Sequence, residues 1–170
     1  FAATTLGVHI SVNGGRAWRD TELMMDDDTV SVLAVSPAFG SDRTVYAGTE
    51  KGDLYRSTDG GRTWELLATE IAEGPINCLW LSPDYAENGR MLAGIGSRIM
   101  LSNDRGESWQ VAYEGAGSVL SLAGDRNVVL AGLYDAGLFK SEDGGATWRP
   151  ASKTFSARGF ARLIVADGSL

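Results

Sequence analysis

The chain has 170 residues, with 15 Lys and Arg against 22 Asp and Glu; the formal charge of −7 argues against nucleic acid and anionic membrane surfaces as partners. Hydrophobic residues make up 44% and no window holds a dozen apolar residues in a row, so a folded globular chain without membrane insertion is expected. The single cysteine, Cys78, and single histidine, His9, exclude an intrachain disulfide, cysteine-based zinc sites and multi-histidine metal sites, and neither cofactor nor metal is expected.

Twenty-two glycines fall in short, regularly spaced clusters. Each would cost about 1 kcal/mol relative to alanine inside a helix, whereas short strands joined by tight turns tolerate them. An all-β chain is predicted.

In chain order, strand-like segments are Phe1–Thr4 and Val8–Ile10, then a turn ending at Trp18, then the apolar run Val30–Val35. The series repeats as Val45–Gly48, Leu54–Arg56, a turn ending at Trp64, Glu65–Leu67 and Ile76–Leu81. It returns as Met91–Gly94, Ile99–Leu101, a turn ending at Trp109, Gln110–Ala112 and Val119–Leu122. A last round runs Val129–Gly132, Leu138–Lys140, a turn ending at Trp148, and Leu163–Ala166. The four turns read S-x-[DN]-x-G-x-[STA]-W over residues 11–18, 57–64, 102–109 and 141–148, with spacings of 46, 45 and 39 residues. A four-stranded antiparallel unit recurring every 40–45 residues or so is the signature of a β-propeller blade. Its strands are designated A to D from the axis outwards.

The turn motif resembles the Asp-box of the bacterial neuraminidase repeat family, whose members are β-propellers. They include sialidases, xyloglucanases, sortilin-type receptors and photosystem II assembly-factor-like proteins. The resemblance implies a propeller, a structural role for the motif, and a secreted or periplasmic setting. It does not fix an activity, because the same blade serves enzymes, receptors and scaffolds. The motif residues are Ser11, Asn13, Gly15 and Trp18; Ser57, Asp59, Gly61 and Trp64; Ser102, Asp104, Gly106 and Trp109; and Ser141, Asp143, Gly145 and Trp148. The acid accepts backbone N–H groups across the turn, glycine supplies positive φ, and tryptophan covers the turn.

Residues 1–170 thus hold one propeller domain of four blades' worth of strands, cut between A and B. Leu163–Ala166 followed by Phe1–Thr4 reads as the missing A–B pair. Closure into a four-bladed ring, a head-to-tail homodimer forming an eight-bladed ring, and a piece of a longer propeller all fit this arrangement.

In such a blade the D–A loops (19–29, 65–75, 110–117, 149–159) and B–C loops (5–7, 49–53, 95–98, 133–137) share one face, and twelve of the 22 acids fall in them. The candidate ligand residues are Asp27, Asp28, Glu50, Trp80, Tyr134 and Asp135. Adjacent carboxylates concentrate cations or basic partners, and a tyrosine beside an acid offers a sugar a stacking ring. His9 aligns with the packing positions Tyr55, Met100 and Phe139; Cys78 aligns with Val32 and Val119, and Trp80 with Ala34 and Ser121. The reading is a non-catalytic scaffold binding protein or glycan through this loop face. The alternatives are a glycoside hydrolase, for which Asp27 and Asp135 would be the carboxylate pair, and a self-assembling half-propeller.

Overall fold

The structure, a computed structural model, describes residues 1–68, 71–151 and 163. Of the strand expected at 163–166 only Leu163 is described; the loop over 152–159 and Glu70 also lie outside the described residues. Among the described residues, fifteen strands form four antiparallel sheets in strict sequence order. The first holds β1 (Ala2–Thr4), β2 (Gly7–Ile10) and β3 (Arg19–Met24). The second holds β4 (Val30–Val35), β5 (Val45–Thr49), β6 (Leu54–Ser57) and β7 (Glu65–Ala68), with the one-turn helix α1 (Phe39–Asp42) between its first two strands. The third repeats this with β8 (Ile76–Leu81), α2 (Tyr85–Asn88), β9 (Met91–Ile95), β10 (Arg98–Ser102) and β11 (Gln110–Glu114). The fourth holds β12 (Val119–Gly124), β13 (Val129–Leu133), β14 (Gly137–Ser141) and β15 (Arg149–Pro150). The strands β4, β8 and β12 pack side by side, β1 lies against β4, and the sheets fan outwards as propeller blades. Neither described helix is long and apolar enough to cross a membrane.

Each of the three described A strands carries a bulge at the same place, between Val30 and Val32, Ile76 and Cys78, and Val119 and Ser121. Just past it, Val32, Cys78 and Ser121 pair with Gly48, Gly94 and Gly132 of the B strands. Cys78 is therefore equivalent to Ser121, not Val119, and Trp80 to Ala123, not Ser121. The alignment from sequence slipped by two residues in the fourth blade because an apolar run has no alternation to fix its register. These pairings also explain the recurrent Ala-Gly in strand B. Ala47, Ala93 and Ala131 are fully buried, and a Cβ at Gly94 would lie 2.5 Å from Cys78 Sγ and 2.7 Å from a Val119 methyl.

The four tryptophan turns share one geometry. The backbone N–H of the second glycine, Gly15, Gly61, Gly106 or Gly145, donates to the motif serine's Oγ at 2.8 Å. That serine donates onward to Asn13, Asp59, Asp104 or Asp143. Asp59 Oδ1 also accepts the N–H groups of Arg62 (2.9 Å) and Thr63 (3.0 Å), while Oδ2 takes the Thr63 hydroxyl (2.7 Å). Ser108 and Thr147 repeat that hydroxyl bond, so the small polar residue before the tryptophan is a donor to the acid. Ala17 lacks it, and Asn13 accepts the Ala17 N–H alongside the Ser11 hydroxyl. Each indole N–H closes onto the carbonyl of the second glycine. The N–H one residue earlier, at Gly60, Arg105 and Gly144, donates to the A–B connection of its own blade.

The same turns join neighbouring blades. Phe1, at the mouth of the first B strand, packs on Gly61, where a Cβ would fall 2.5 Å from its ring, and Leu92 covers Gly145 similarly. Phe1 meets Phe39 of α1 edge-on at 5.8 Å, and Tyr46 meets Tyr85 of α2 at 6.0 Å. Tyr46 donates to the Arg105 carbonyl, so the Tyr85 hydroxyl donates to Tyr46 across 2.5 Å. The half-buried Trp64, Trp109 and Trp148 each pack into the apolar cluster shared with the preceding blade, while Trp18 is 49% exposed.

Gly94→Ala should lower stability by about 1–3 kcal/mol through overpacking, read from urea unfolding; an unchanged midpoint would contradict the tight fit of strands A and B. Asp59→Ala should cost about 1–3 kcal/mol through unsatisfied turn donors. The Thr63 N–H leads the interactions that hold the Asp59 carboxyl at about 2, and those of Asp143 outweigh burial to bring it to about 2. Because both folded values lie below the unfolded ones, this stabilisation is complete above pH ~4 and lost as pH falls towards ~2. Asp59→Asn should shrink the acid-induced loss of stability in that window, and an acid profile identical to wild type would count against it.

Candidate functional site

The loop face is built as anticipated, from D–A loops laid beside B–C loops. Backbone bonds stitch them together: Met25 N–H to Leu6 O (3.1 Å), Glu50 N–H to Thr29 O (2.9 Å) and Tyr134 N–H to Ser118 O (2.8 Å). The strand β3 begins at Arg19 and runs to Met24, so Arg19, Asp20 and Glu22 belong to a D strand rather than to the first D–A loop. Glu65 and Glu114 likewise sit in β7 and β11. In β3 only Thr21 and Leu23 are buried, and the exposed polar residues between and before them make the segment read as a loop.

Asp26, Asp27 and Asp28 meet Glu50 and Lys51 around an open cleft of about 500 Å³, completed by Thr5 and Thr29. Of the six candidate ligand residues, the structure brings Asp27, Asp28 and Glu50 together here. Asp28 is structural in part: its Oδ1 accepts the N–H of Thr29 (2.7 Å) and of Lys51 (3.3 Å), tying the D–A loop to the next B–C hairpin. Asp27 and Glu50 are exposed, and their charges face solvent at the cleft.

Tyr134 and Asp135 lie elsewhere, at the tip of the β13–β14 hairpin. Tyr134 is 54% exposed. Asp135 adopts φ 58°, a left-handed turn position that aspartate tolerates better than most residues. It does not line the cleft that holds Asp27, so the two carboxylates considered as a hydrolase pair face different spaces. Trp80 is only 8% exposed and packs with Cys78, Leu92 and Leu122 between the third and fourth blades. That burial removes it from the ligand face, contrary to expectation. Burial also pushes the Cys78 thiol up to about 12, which leaves it protonated and unreactive. Among the described residues, no three His, Cys, Asp or Glu side chains stand where they could hold a metal ion.

His9 departs from its reading as a packing residue. It occupies the position of Tyr55, Met100 and Phe139, yet its Nδ1 lies 3.0 Å from Asp20 Oδ1 and its Nε2 3.0 Å from Thr4 Oγ1. A polar chain thus crosses all three strands of the first blade. Cross-strand pairing of positions 9 and 20 was the signal that sequence reading passed over, because residue 20 was taken as loop. The Thr4 hydroxyl also donates to Gly7 O at 3.1 Å and accepts from the Leu6 N–H at 3.1 Å, so it serves the B–C turn.

Residues 55–66, from Tyr55 in β6 to Leu66 in β7, match the BNR/Asp-box repeat. The photosystem II assembly lipoprotein Ycf48 of Synechococcus sp. (strain CC9902) is 28% identical over 151 residues, covering 86% of this chain and 44% of that protein. The chain therefore spans less than half the length of this curated relative. Among solved structures, the extracellular domain of the one-component system protein BT4673 from B. thetaiotaomicron aligns over 97% of this chain and 23% of its own, with TM-score 0.70 and 15% identity. The GH74 enzyme of Niastella koreensis aligns over 75% of this chain and 23% of its own, with TM-score 0.59 and 20% identity. At these identities the likeness is one of fold. Four copies of the tryptophan turn, one of them matching the Asp-box repeat, thus sit on blades of a β-propeller fold.

Proposed function

We propose that this chain is a non-catalytic scaffold that docks a protein partner during assembly of a larger complex, through the acidic loop face. The observation that carries the reading is the 28% identity to an assembly lipoprotein over 86% of the chain. The geometry supports it in two ways. Asp26, Asp27 and Glu50 gather exposed carboxylates at one open cleft, which suits a basic segment of a protein. The lining of the cleft includes no aromatic platform, and Asp135, the carboxylate considered as the partner of Asp27 in a glycosidase, is not part of it.

A second reading, head-to-tail pairing of two copies, rests on Trp18. Its counterparts pack against the preceding blade, whereas Trp18 is half exposed. The face it shares, however, carries His9 and Asp20 where the other blades carry Tyr55, Met100 and Phe139 with apolar partners. A face of that polarity favours a hydrated contact over a dry one, and docking through the loop face is the stronger reading.

The test is selection of displayed random peptides on the immobilised protein. Enriched sequences should be rich in Lys and Arg, and their affinity should fall about tenfold in Asp26→Asn/Asp27→Asn/Glu50→Gln, a change in rim charge. Peptides without basic enrichment, or unaffected by the triple variant, would refute docking at this cleft. Hydrolysis of xyloglucan or a sialoside that disappears in Asp27→Asn would establish an enzyme instead. A dimeric mass in solution, disrupted by Trp18→Ser, would establish the second reading.

A further inference from the structure

On the opposite face, the junction between the first two blades is a cleft of about 940 Å³ reached from the Asp-box side. The register of the D strands shows what is unusual about it. At the second junction, Arg56 of β6 pairs with Glu65 of β7, and its guanidinium also reaches Glu107 in the next blade's turn. The distances are 2.8 Å and 3.1 Å, so one cation is clasped by two carboxylates. At the first junction Ile10 pairs with Arg19 in the positions of Arg56 and Glu65, and Arg62 stands three residues past its Asp-box acid, where Glu107 stands in the next copy. The pattern is inverted: two cations stand beside an apolar residue, and neither makes an ion pair among the described residues.

The other charges in this cleft sharpen the inversion. Arg43 also lines it, beside Phe1 and with its guanidinium over the Phe39 ring at 5.6 Å. Among the described residues, four arginines make no ion pair and no side-chain hydrogen bond: Arg16, Arg19, Arg43 and Arg62. Three of the four line this one cleft. Of its carboxylates, Asp59 is consumed by its own turn and Asp20 is held by His9, leaving Glu22. In a chain of net charge −7, three guanidinium groups without an ion pair beside an edge-to-face phenylalanine pair form a local exception.

We infer that the first blade junction binds a small organic anion, a carboxylate or phosphate carrying a flat apolar group. The anionic head takes the place that Arg56 fills at the next junction, with its sign reversed, and accepts N–H groups from Arg19 and Arg62. Guanidinium forks match the planar lone pairs of carboxylate and phosphate, which favours this chemistry over halide. The apolar group lies against Phe1 and Phe39, with Arg43 closing the rim. The site is on the far side of the blades from the acidic loop cleft and is independent of docking there.

The experiment titrates ¹⁵N-labelled protein with phenylacetate, phenyl phosphate, acetate, inorganic phosphate and benzyl alcohol, and follows the arginine Nε–H signals. Phenylacetate or phenyl phosphate should bind about tenfold more tightly than acetate or inorganic phosphate respectively, because only they cover the aromatic pair. The tighter of the two aryl probes identifies the head group. Arg19→Ala and Arg62→Ala should each weaken binding about five- to tenfold, as expected for loss of a charge-assisted partner, while Arg16→Ala leaves it unchanged. Ile10→Arg/Arg19→Glu/Arg62→Glu transplants the second junction's triad; it should abolish binding while the protein keeps its melting temperature. Asp26→Asn/Asp27→Asn/Glu50→Gln should leave binding intact, which separates this site from the loop face. Absence of binding by both aryl anions to folded protein, equal binding of benzyl alcohol, or affinity indifferent to Arg19→Ala and Arg62→Ala would overturn the proposal.

Discussion

The hydrogen bond from the second Asp-box glycine to its motif serine, 2.8 Å in all four copies, is the contact on which the remaining geometry rests. It closes the C–D hairpin with consecutive residues at positive φ, including Arg105 at 62° in the third copy. A side chain at the second position would project into the preceding blade, so glycine there serves two ends at once. It lets the turn close, and it lets Phe1 or Leu92 of the neighbouring blade settle on bare backbone. The tryptophan then reaches back into the preceding blade's apolar cluster. A bond inside one hairpin therefore sets the spacing between blades, and stability becomes a sum of repeats and nearest-neighbour joints.

This coupling explains which features were legible in the sequence. Serine, acid, glycine and tryptophan recur because backbone geometry admits few substitutes, and the Ala-Gly of strand B recurs because strand A leaves no room. Two departures, Asn13 for aspartate and Arg105 for glycine, were legible as tolerable and are accommodated as the motif requires: Asn13 keeps its acceptor, and the Arg105 guanidinium donates to Ala86 O at 2.8 Å. The D strands were less legible, since the inward positions of Arg19–Met24 are only Thr21 and Leu23 among polar neighbours. Mistaking Arg19–Met24 for loop concealed both the His9–Asp20 pair and the Ile10–Arg19 pair. The register of β12 was misread because an apolar run carries no alternation to fix it.

The candidate site divides along the same line. Asp26–Asp28 and Glu50 were legible as a group because both segments fall in connections that any propeller places on one face. Their division of labour was not legible. Asp28 spends its carboxylate on two backbone N–H groups, whereas Asp27 and Glu50 face solvent at the cleft. Trp80 was singled out for its bulk at a position where other blades are small, and bulk there fills the space between blades instead of the axis. A large residue in an inner strand reports on the joint it must fill before it reports on a ligand.

The joints also show how one repeat carries different chemistry at successive positions. Three structurally matched sites, one in each of strands C and D and one in the following turn, hold Ile10, Arg19 and Arg62 at the first junction. They hold Arg56, Glu65 and Glu107 at the second, and Leu101, Gln110 and Ala146 at the third. The second set is charge-compensated within itself and the third is neutral. Because Phe1 on Gly61 and Leu92 on Gly145 already fasten the blades, the three sites above them are free to vary without threatening the fold. Where that freedom has placed two arginines around an isoleucine, the fold has no use for the charge, and a solvated surface lysine would meet a solubility need with less cost in fixed geometry. Guanidinium groups that make no ion pair, beside a defined gap, are a feature that packing does not require, and the joint's independence from them is what makes them readable as a site.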